Sequence, residues 1–190
     1  MQTLFTAQRT YAMLENTSLW EVAERVHGLL AANGIEHAVV GGVAVCLHGY
    51  RRNTIDLDLL VRSTDSANLK VTLEAGGIPS DSENREFRSP SGIPVQLLFA
   101  GEREGRGIDA VFPDPADSDA VTSIEGLPVL NLAQLIQAKI ACGLGDMRRT
   151  HKDFADVVEL IQIHQLDGSF TRHLSKAVRK EFRRLLKHVG

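Results

Sequence analysis

Two carboxylates, Asp56 and Asp58, stand two residues apart in Ile55-Asp56-Leu57-Asp58-Leu59-Leu60-Val61, a run that reads as a β-strand. Successive strand side chains point to opposite faces, so the two aspartates share one face while Ile55, Leu57 and Leu59 share the other. Apolar residues on both sides mark an inner strand, where unpaired carboxylates repel one another and are costly to bury. A hard divalent cation resolves that conflict. Mg²⁺ (or Mn²⁺) takes oxygen ligands and keeps part of its coordination shell for substrate phosphates. The competing reading is an exposed edge strand with a solvated acidic face.

Upstream, Ala38-Val39-Val40 reads as a short buried strand entering a turn at Gly41-Gly42, followed by a short helix from Val43 to His48 that Gly49 closes. A glycine pair at a strand-to-helix turn lets backbone N–H groups approach a phosphate, helped by the helix N-terminus. Phosphates on one side and a carboxylate-held metal on the other suit phosphoryl or nucleotidyl transfer from a nucleoside triphosphate. Arg51, Arg52 and Thr54 in the connecting loop could reach that triphosphate, or be ordinary exposed loop residues. Lys139 shares a helical stripe with Leu132, Leu135 and Ile136. It is either a phosphate contact or a lysine snorkelling at the edge of the core. Asp153 either completes the site or is an acidic residue placed favourably near a helix N-terminus. His48 and His151 read as structural.

The elements that must position these groups follow from pattern. Ser18-Leu19-Trp20-Glu21 reads as a capping box opening an amphipathic helix over about 18–33, stopped by Gly34. Residues 64–75 read as a helix with Leu69, Val71 and Leu73 inside and Gly76-Gly77 as its stop. Phe87-Arg88-Ser89 and Pro94 to Phe99 read as a hairpin joined through Ser-Pro-Ser-Gly, and 101–121 as a long loop over the site. Leu127 to Leu130 is a last strand, after which Asn131 caps a helix. Helical patterns fill 150–165 and 169–188. The expected organisation is an N-terminal arm over 1–17, an α/β core over 18–130 and a helical C-terminal portion over 131–190.

Taken together, these residues resemble the nucleotidyltransferase superfamily (the DNA polymerase β-like fold). Gly41-Gly42, thirteen residues, then Asp56-Leu57-Asp58 carry the resemblance. Val40-Gly41-Gly42-Val43-Ala44, His48-Gly49, Arg52 and Thr54 are similar to the minimal and abortive-infection (AbiEii-like) toxin branches. Leu127-Pro128-Val129-Leu130, Leu135, Lys139, Arg148 and Lys152-Asp153 with Asp156 resemble the downstream helices of those branches, where a Lys and an Asp complete the site. The likeness spans about residues 35–163. It implies an α/β (α+β) fold with a mixed β-sheet flanked by helices, and Mg²⁺ acting with an NTP. It further implies transfer of NMP to an RNA, protein or small-molecule acceptor, in a toxin–antitoxin or phage-defence setting. Asp56 and Asp58 would hold the metal, Gly41, Gly42, Arg52, Thr54 and Gln96 would contact the nucleotide, and Lys139 and Asp153 would assist catalysis.

One position departs from the pattern. Gln96, in Ile93-Pro94-Val95-Gln96-Leu97-Leu98-Phe99, stands where many relatives carry a third carboxylate that activates the acceptor hydroxyl. An amide accepts a hydrogen bond but is no general base near neutral pH. Three readings stay open: the downstream Lys and Asp do this work, which is preferred; the acceptor needs little deprotonation; or the chain is a degenerate nucleotide- or partner-binding module.

The totals agree with a single core. The chain has 190 residues, 43% of them hydrophobic, and a net charge of −3, so nothing chain-wide adapts it to nucleic acid. Cys46 and Cys142, in apolar surroundings and without a CxxC, read as buried reduced thiols of a cytoplasmic protein. No stretch approaches bilayer length. In the last helix, Arg172, Lys176, Arg179, Lys180, Arg183 and Lys187 form one stripe, opposite Leu174, Val178, Phe182, Leu185, Leu186 and Val189. The apolar side should pack inward. The basic side is either a solvated face or a contact for RNA or an acidic protein partner.

Overall fold

Helix α1 (Thr17–Ala32) brings the chain to β1 (His37–Val40), and α2 (Gly41–Leu47) carries it to β2 (Leu57–Val61). A 3-10 turn, Ser63–Asp65, precedes α3 (Ser66–Ala75). The strands β3 (Ser80–Ser82), β4 (Glu86–Arg88) and β5 (Pro94–Phe99) follow, and a long loop leads to β6 (Val121–Ile124) and β7 (Leu127–Leu130). Two long helices, α4 (Leu132–Gly145) and α5 (Met147–Ile163), a 3-10 segment, Gly168–His173, and α6 (Arg179–Leu186) complete it. This computed structural model describes residues 17–82 and 86–189. Except for Thr17, the expected N-terminal arm lies outside them.

The strands form one mixed sheet in the order β3-β4-β5-β2-β1-β7-β6, with β2–β5 and β1–β7 parallel and the other pairs antiparallel. The expected α/β fold, a mixed sheet flanked by helices, is therefore present. β2 runs between β5 and β1, and Leu57, Leu59, Leu60 and Val61 are buried, so the inner-strand reading holds. α1 buries Leu19, Val22, Ala23, Val26 and Leu30 at helical spacing and packs with α3. It begins at Thr17, so Ser18 stands within its first turn rather than at its cap. Asn131 caps α4 as expected, its side chain accepting from Gln134 N–H at 2.9 Å.

Several expectations change. β2 begins at Leu57, not Ile55, and Ile55 is 71% exposed instead of sharing the face of Leu57 and Leu59. The ladder explains this: β1 ends at Val40, opposite Asp58, and the pairing with β5 starts at Leu57↔Val95, so nothing holds Ile55 in the sheet. Val71 is 66% exposed, because the inward face of α3 is Leu69, Thr72 and Leu73, and residue 71 lies on the far side of the wheel. The last part of the expected loop, with the residues after it, is a strand. β6 meets β7 through Glu125-Gly126, both at positive φ (50° and 86°), the two-residue turn that matches strand twist.

The expected helix over 169–188 is also broken. Leu174 is extended (φ −105°, ψ 151°) between the 3-10 segment and α6. Gln137 accepts from Ser175 N–H at 2.8 Å and Leu174 C=O accepts from Arg179 Nε at 2.9 Å, so side-chain hydrogen bonds replace helical ones there. Leu174, Val178, Phe182 and Leu185 still face inward. The basic stripe is split, with Arg172 on the 3-10 segment, Lys176 between helices and Arg179 half-buried.

Candidate functional site

The two aspartates meet the glycine turn at the end of β1. Val40 pairs with Asp58, and the chain turns at Gly41 with φ +63°. A Cβ built on Gly41 would lie 1.8 Å from Asp58 Oδ2, and one on Gly42 would lie 2.4 Å from Thr54 Oγ1. Both glycines are required by close approach, and Gly41 by its dihedral as well. Gly41→Ala is expected to cost about 1–3 kcal/mol and to push the Asp58 carboxylate from its place, checked by urea denaturation and by loss of nucleotide-dependent stabilisation. Thr54, buried, donates to Asp56 Oδ1 at 3.0 Å and fixes that carboxylate. Burial pushes the Asp58 carboxyl above the usual carboxylate range, and neighbouring Asp56 adds to it. The cations Lys139, Arg149 and Lys152 oppose the rise.

Behind the aspartates lies a buried ion network. Lys139 is 4% exposed, and its Nζ stands 2.9 Å from Asp153 Oδ1 and 2.7 Å from Asp156 Oδ2. Arg149 Nε donates to Asp153 Oδ2 at 3.0 Å. Arg52 Nε lies 2.8 Å from Asp156 Oδ1, an ion pair without hydrogen-bond alignment. Lys139 therefore does not snorkel, and Asp153, in the second turn of α5, is no simple acidic residue at a helix N-terminus. Arg52 is half-buried and turned inward, tying the loop before β2 to α5. His48 is structural as expected, its Nε2 bonded to Leu130 O at 2.8 Å. His151 is exposed.

A cavity of about 250 Å³ opens between the sheet and α4, and Gly41, Asp58, Gln96, Lys139, Arg149 and the loop residues Glu102, Arg103 and Glu104 line it. Gln96 pairs with Asp58 in the β2–β5 ladder, so the two residues are neighbours on one face. The loop after β5 is closed on itself by a bond from Glu104 N–H to Ala110 O and is held to α4 by the Cys142 thiol, which donates to Glu104 O at 2.8 Å. Cys142 and Cys46 are free thiols, and burial pushes Cys142 up to about 11. A larger groove of about 510 Å³ lies elsewhere, along His27, His37 and β6–β7, and includes none of the candidate site residues.

No family model and no curated protein matches the sequence. Solved structures match the fold. ANT(2'')-Ia in complex with adenylyl-2''-tobramycin superposes with a TM-score of 0.61 at 15% identity, over 88% of this chain and 98% of that one. JHP933 from Helicobacter pylori gives 0.54 at 14% identity over 89% of each chain. An antigenic nucleotidyltransferase-like protein from Paracoccidioides brasiliensis gives 0.52 at 17% identity, over 88% of this chain and 91% of that one. The chain has the nucleotidyltransferase fold.

On that nucleotidyltransferase fold the structure gathers Gly41, Asp58, Gln96 and Lys139 around one cavity, with Asp153 joined through Lys139 and Asp56 through its place beside Asp58. Arg52 and Thr54 support Gly42 from behind. Among the described residues no group of three or more His, Cys, Asp or Glu could hold a metal. The oxygen-only pair Asp56 and Asp58 nevertheless suits a hard cation that completes its shell with water and phosphate. Asp156 entered the sequence reading only within the family resemblance, and Arg149 and Glu104 not at all. Arg149 and Asp156 form one helical stripe with Asp153, a spacing that a wheel would have displayed. Glu104, in a loop without periodicity, gave no signal.

Proposed function

We propose that this protein transfers a nucleoside monophosphate from a nucleoside triphosphate to an acceptor, with release of pyrophosphate. The observation that carries the reading is half-buried Asp58 beside Gly41, with Asp56 as its charged neighbour, on one wall of a cavity whose other walls bring Lys139 and Arg149. Asp56 and Asp58 would hold Mg²⁺ or Mn²⁺; the ion, when bound, would polarise the phosphates and relieve the repulsion between the two carboxylates. Gly41 lines the cavity, and the missing side chains at Gly41 and Gly42 let Asp58 and Thr54 pack directly against the turn. Lys139 donates to Asp153 Oδ1 and stands in an ion pair with Asp156, and an ammonium has three donors, so donor capacity is left for a phosphate. Arg149 and Lys152 add positive potential on the same side.

The cavity size supports a small acceptor, or one group of a larger one. A structural neighbour in complex with adenylyl-2''-tobramycin supports this reading. A second reading, a module that binds nucleotide without turnover, rests on Gln96 beside Asp58. One experiment separates them: incubate the protein with α-labelled NTPs, Mg²⁺ or Mn²⁺, and pools of RNA, protein and small hydroxylated molecules. The wild type should label one pool, and Asp58→Asn should lower that labelling by about 10²–10³-fold. Calorimetric binding of a non-hydrolysable NTP with no labelling of any pool would favour the second reading.

A further inference from the structure

We propose that Glu104, on the loop after β5, is the proton acceptor for the incoming acceptor hydroxyl, in place of the carboxylate that β5 lacks at Gln96. Resting on the transfer reading above, the inference names the acceptor chemistry: a hydroxyl that must lose its proton, not a phosphate. Four observations lead to it. Glu104 is 3% exposed and yet lines the same cavity as Asp58 and Gln96. Its Oε1 accepts from Gln137 Nε2 at 3.3 Å, while Oε2 has no hydrogen-bond partner among the described residues. A buried carboxyl oxygen without a partner is costly, and such a group calls for a role beyond packing. The carboxylate next in register, Glu86 across from Gln96 on β4, is already held by Arg88 at 2.9 Å.

Electrostatics agree with the geometry. Burial raises the Glu104 carboxyl to about 8, against a smaller lowering from the Gln137 hydrogen bond. Asp58 from β2, Lys139 and Cys142 from α4, Arg149 from α5, and Glu102 and Arg103 from its own loop share its cavity. Arg106, Asp146 and Arg148 line a second pocket, of about 420 Å³, that Glu104 also borders. No hydrogen bond or ion pair joins the Glu104 carboxyl to any of them. A base titrating near the working pH combines a usable ionised fraction with a strong pull on the proton. In the step, the acceptor O–H bond breaks and its oxygen forms a bond to the α-phosphorus. The bond from that phosphorus to the bridging oxygen of pyrophosphate breaks, pyrophosphate leaves with the electron pair, and the proton passes to Glu104 Oε2.

The test follows transfer from α-labelled NTP to the acceptor pool that the wild type labels, between pH 6 and 9. Wild-type turnover should rise nearly tenfold per pH unit below about 8 and level off above it. Glu104→Gln should lose about 10²–10³-fold and the rising limb together, while its affinity for a non-hydrolysable NTP stays within threefold of wild type. Glu104→Gln combined with Gln96→Asp should regain at least about tenfold, because a carboxylate then returns beside Asp58. The inference is overturned if Glu104→Gln keeps the limb with turnover within threefold, if Glu102→Gln removes the limb instead, or if Glu104→Gln loses nucleotide affinity as steeply as turnover. A wild type that labels nothing while binding NTP would sink the transfer reading, and this inference with it. An active wild type with an indifferent Glu104→Gln would sink this inference alone.

Discussion

Lys139→Met is expected to lower the stability of the fold by about 3–5 kcal/mol. The lysine is the hub of a buried network, its Nζ within 2.9 Å of Asp153 and 2.7 Å of Asp156. Methionine fills most of the same volume, so the loss is electrostatic rather than a cavity. Two buried carboxylates would then share only Arg52 and Arg149, one at each end. Removing one partner of a buried pair leaves an uncompensated charge, which costs far more than replacing the whole set with apolar groups. Urea denaturation at neutral pH measures the difference. Adding Asp156→Leu to Lys139→Met should return part of it, since the second change removes a stranded charge. A loss below about 1 kcal/mol would mean that solvent screens the network, and would remove its claim to position the site.

This network shows how far the sequence could be read. Gly41-Gly42 and Asp56-x-Asp58 were legible because their chemistry depends on local geometry: a turn that excludes Cβ atoms and a strand that alternates. The ladder between β1 and β2 brings Asp58 beside the glycine turn, and Asp56 lies just before β2 begins. Lys139 and Asp153 were legible as candidates, but their mutual contact was not, since it depends on the crossing of α4 and α5. The breakdown of the expected 169–188 helix has the same origin. Its apolar spacing was right and still buries Leu174, Val178 and Phe182, yet Gln137 from a distant helix takes the Ser175 N–H that a continuous helix would use. Glu104 was out of reach for a further reason. Nothing in a loop sequence says that one glutamate of two, Glu102 or Glu104, will be enclosed, and enclosure is what makes its carboxyl unusual.

Enclosure has a measurable price in stability. Glu104→Gln is expected to stabilise the protein above pH 8 by on the order of 4 kcal/mol and to change it little at pH 4–5. The folded carboxyl titrates at about 8, and an exposed one at 4.5. Below 4.5 both folded and unfolded chains keep the proton, and the buried group is neutral and tolerated. Between the two values the unfolded chain has released its proton while the folded chain holds it, so folding becomes less favourable as pH rises. Above about 8 both are ionised and the penalty is complete. Glutamine carries no charge at any of these pH values and retains an oxygen for Gln137, but places an unpartnered amide N–H₂ where Oε2 stood. At low pH that leaves the variant level with the wild type or about 1 kcal/mol below it. Urea midpoints at pH 5, 7 and 8.5 should therefore diverge steadily, with the variant ahead at the alkaline end. Parallel curves would show that the carboxyl is solvated in the folded protein. A crossing, together with lost turnover, would identify a carboxyl kept at the expense of stability, which a purely structural residue does not explain.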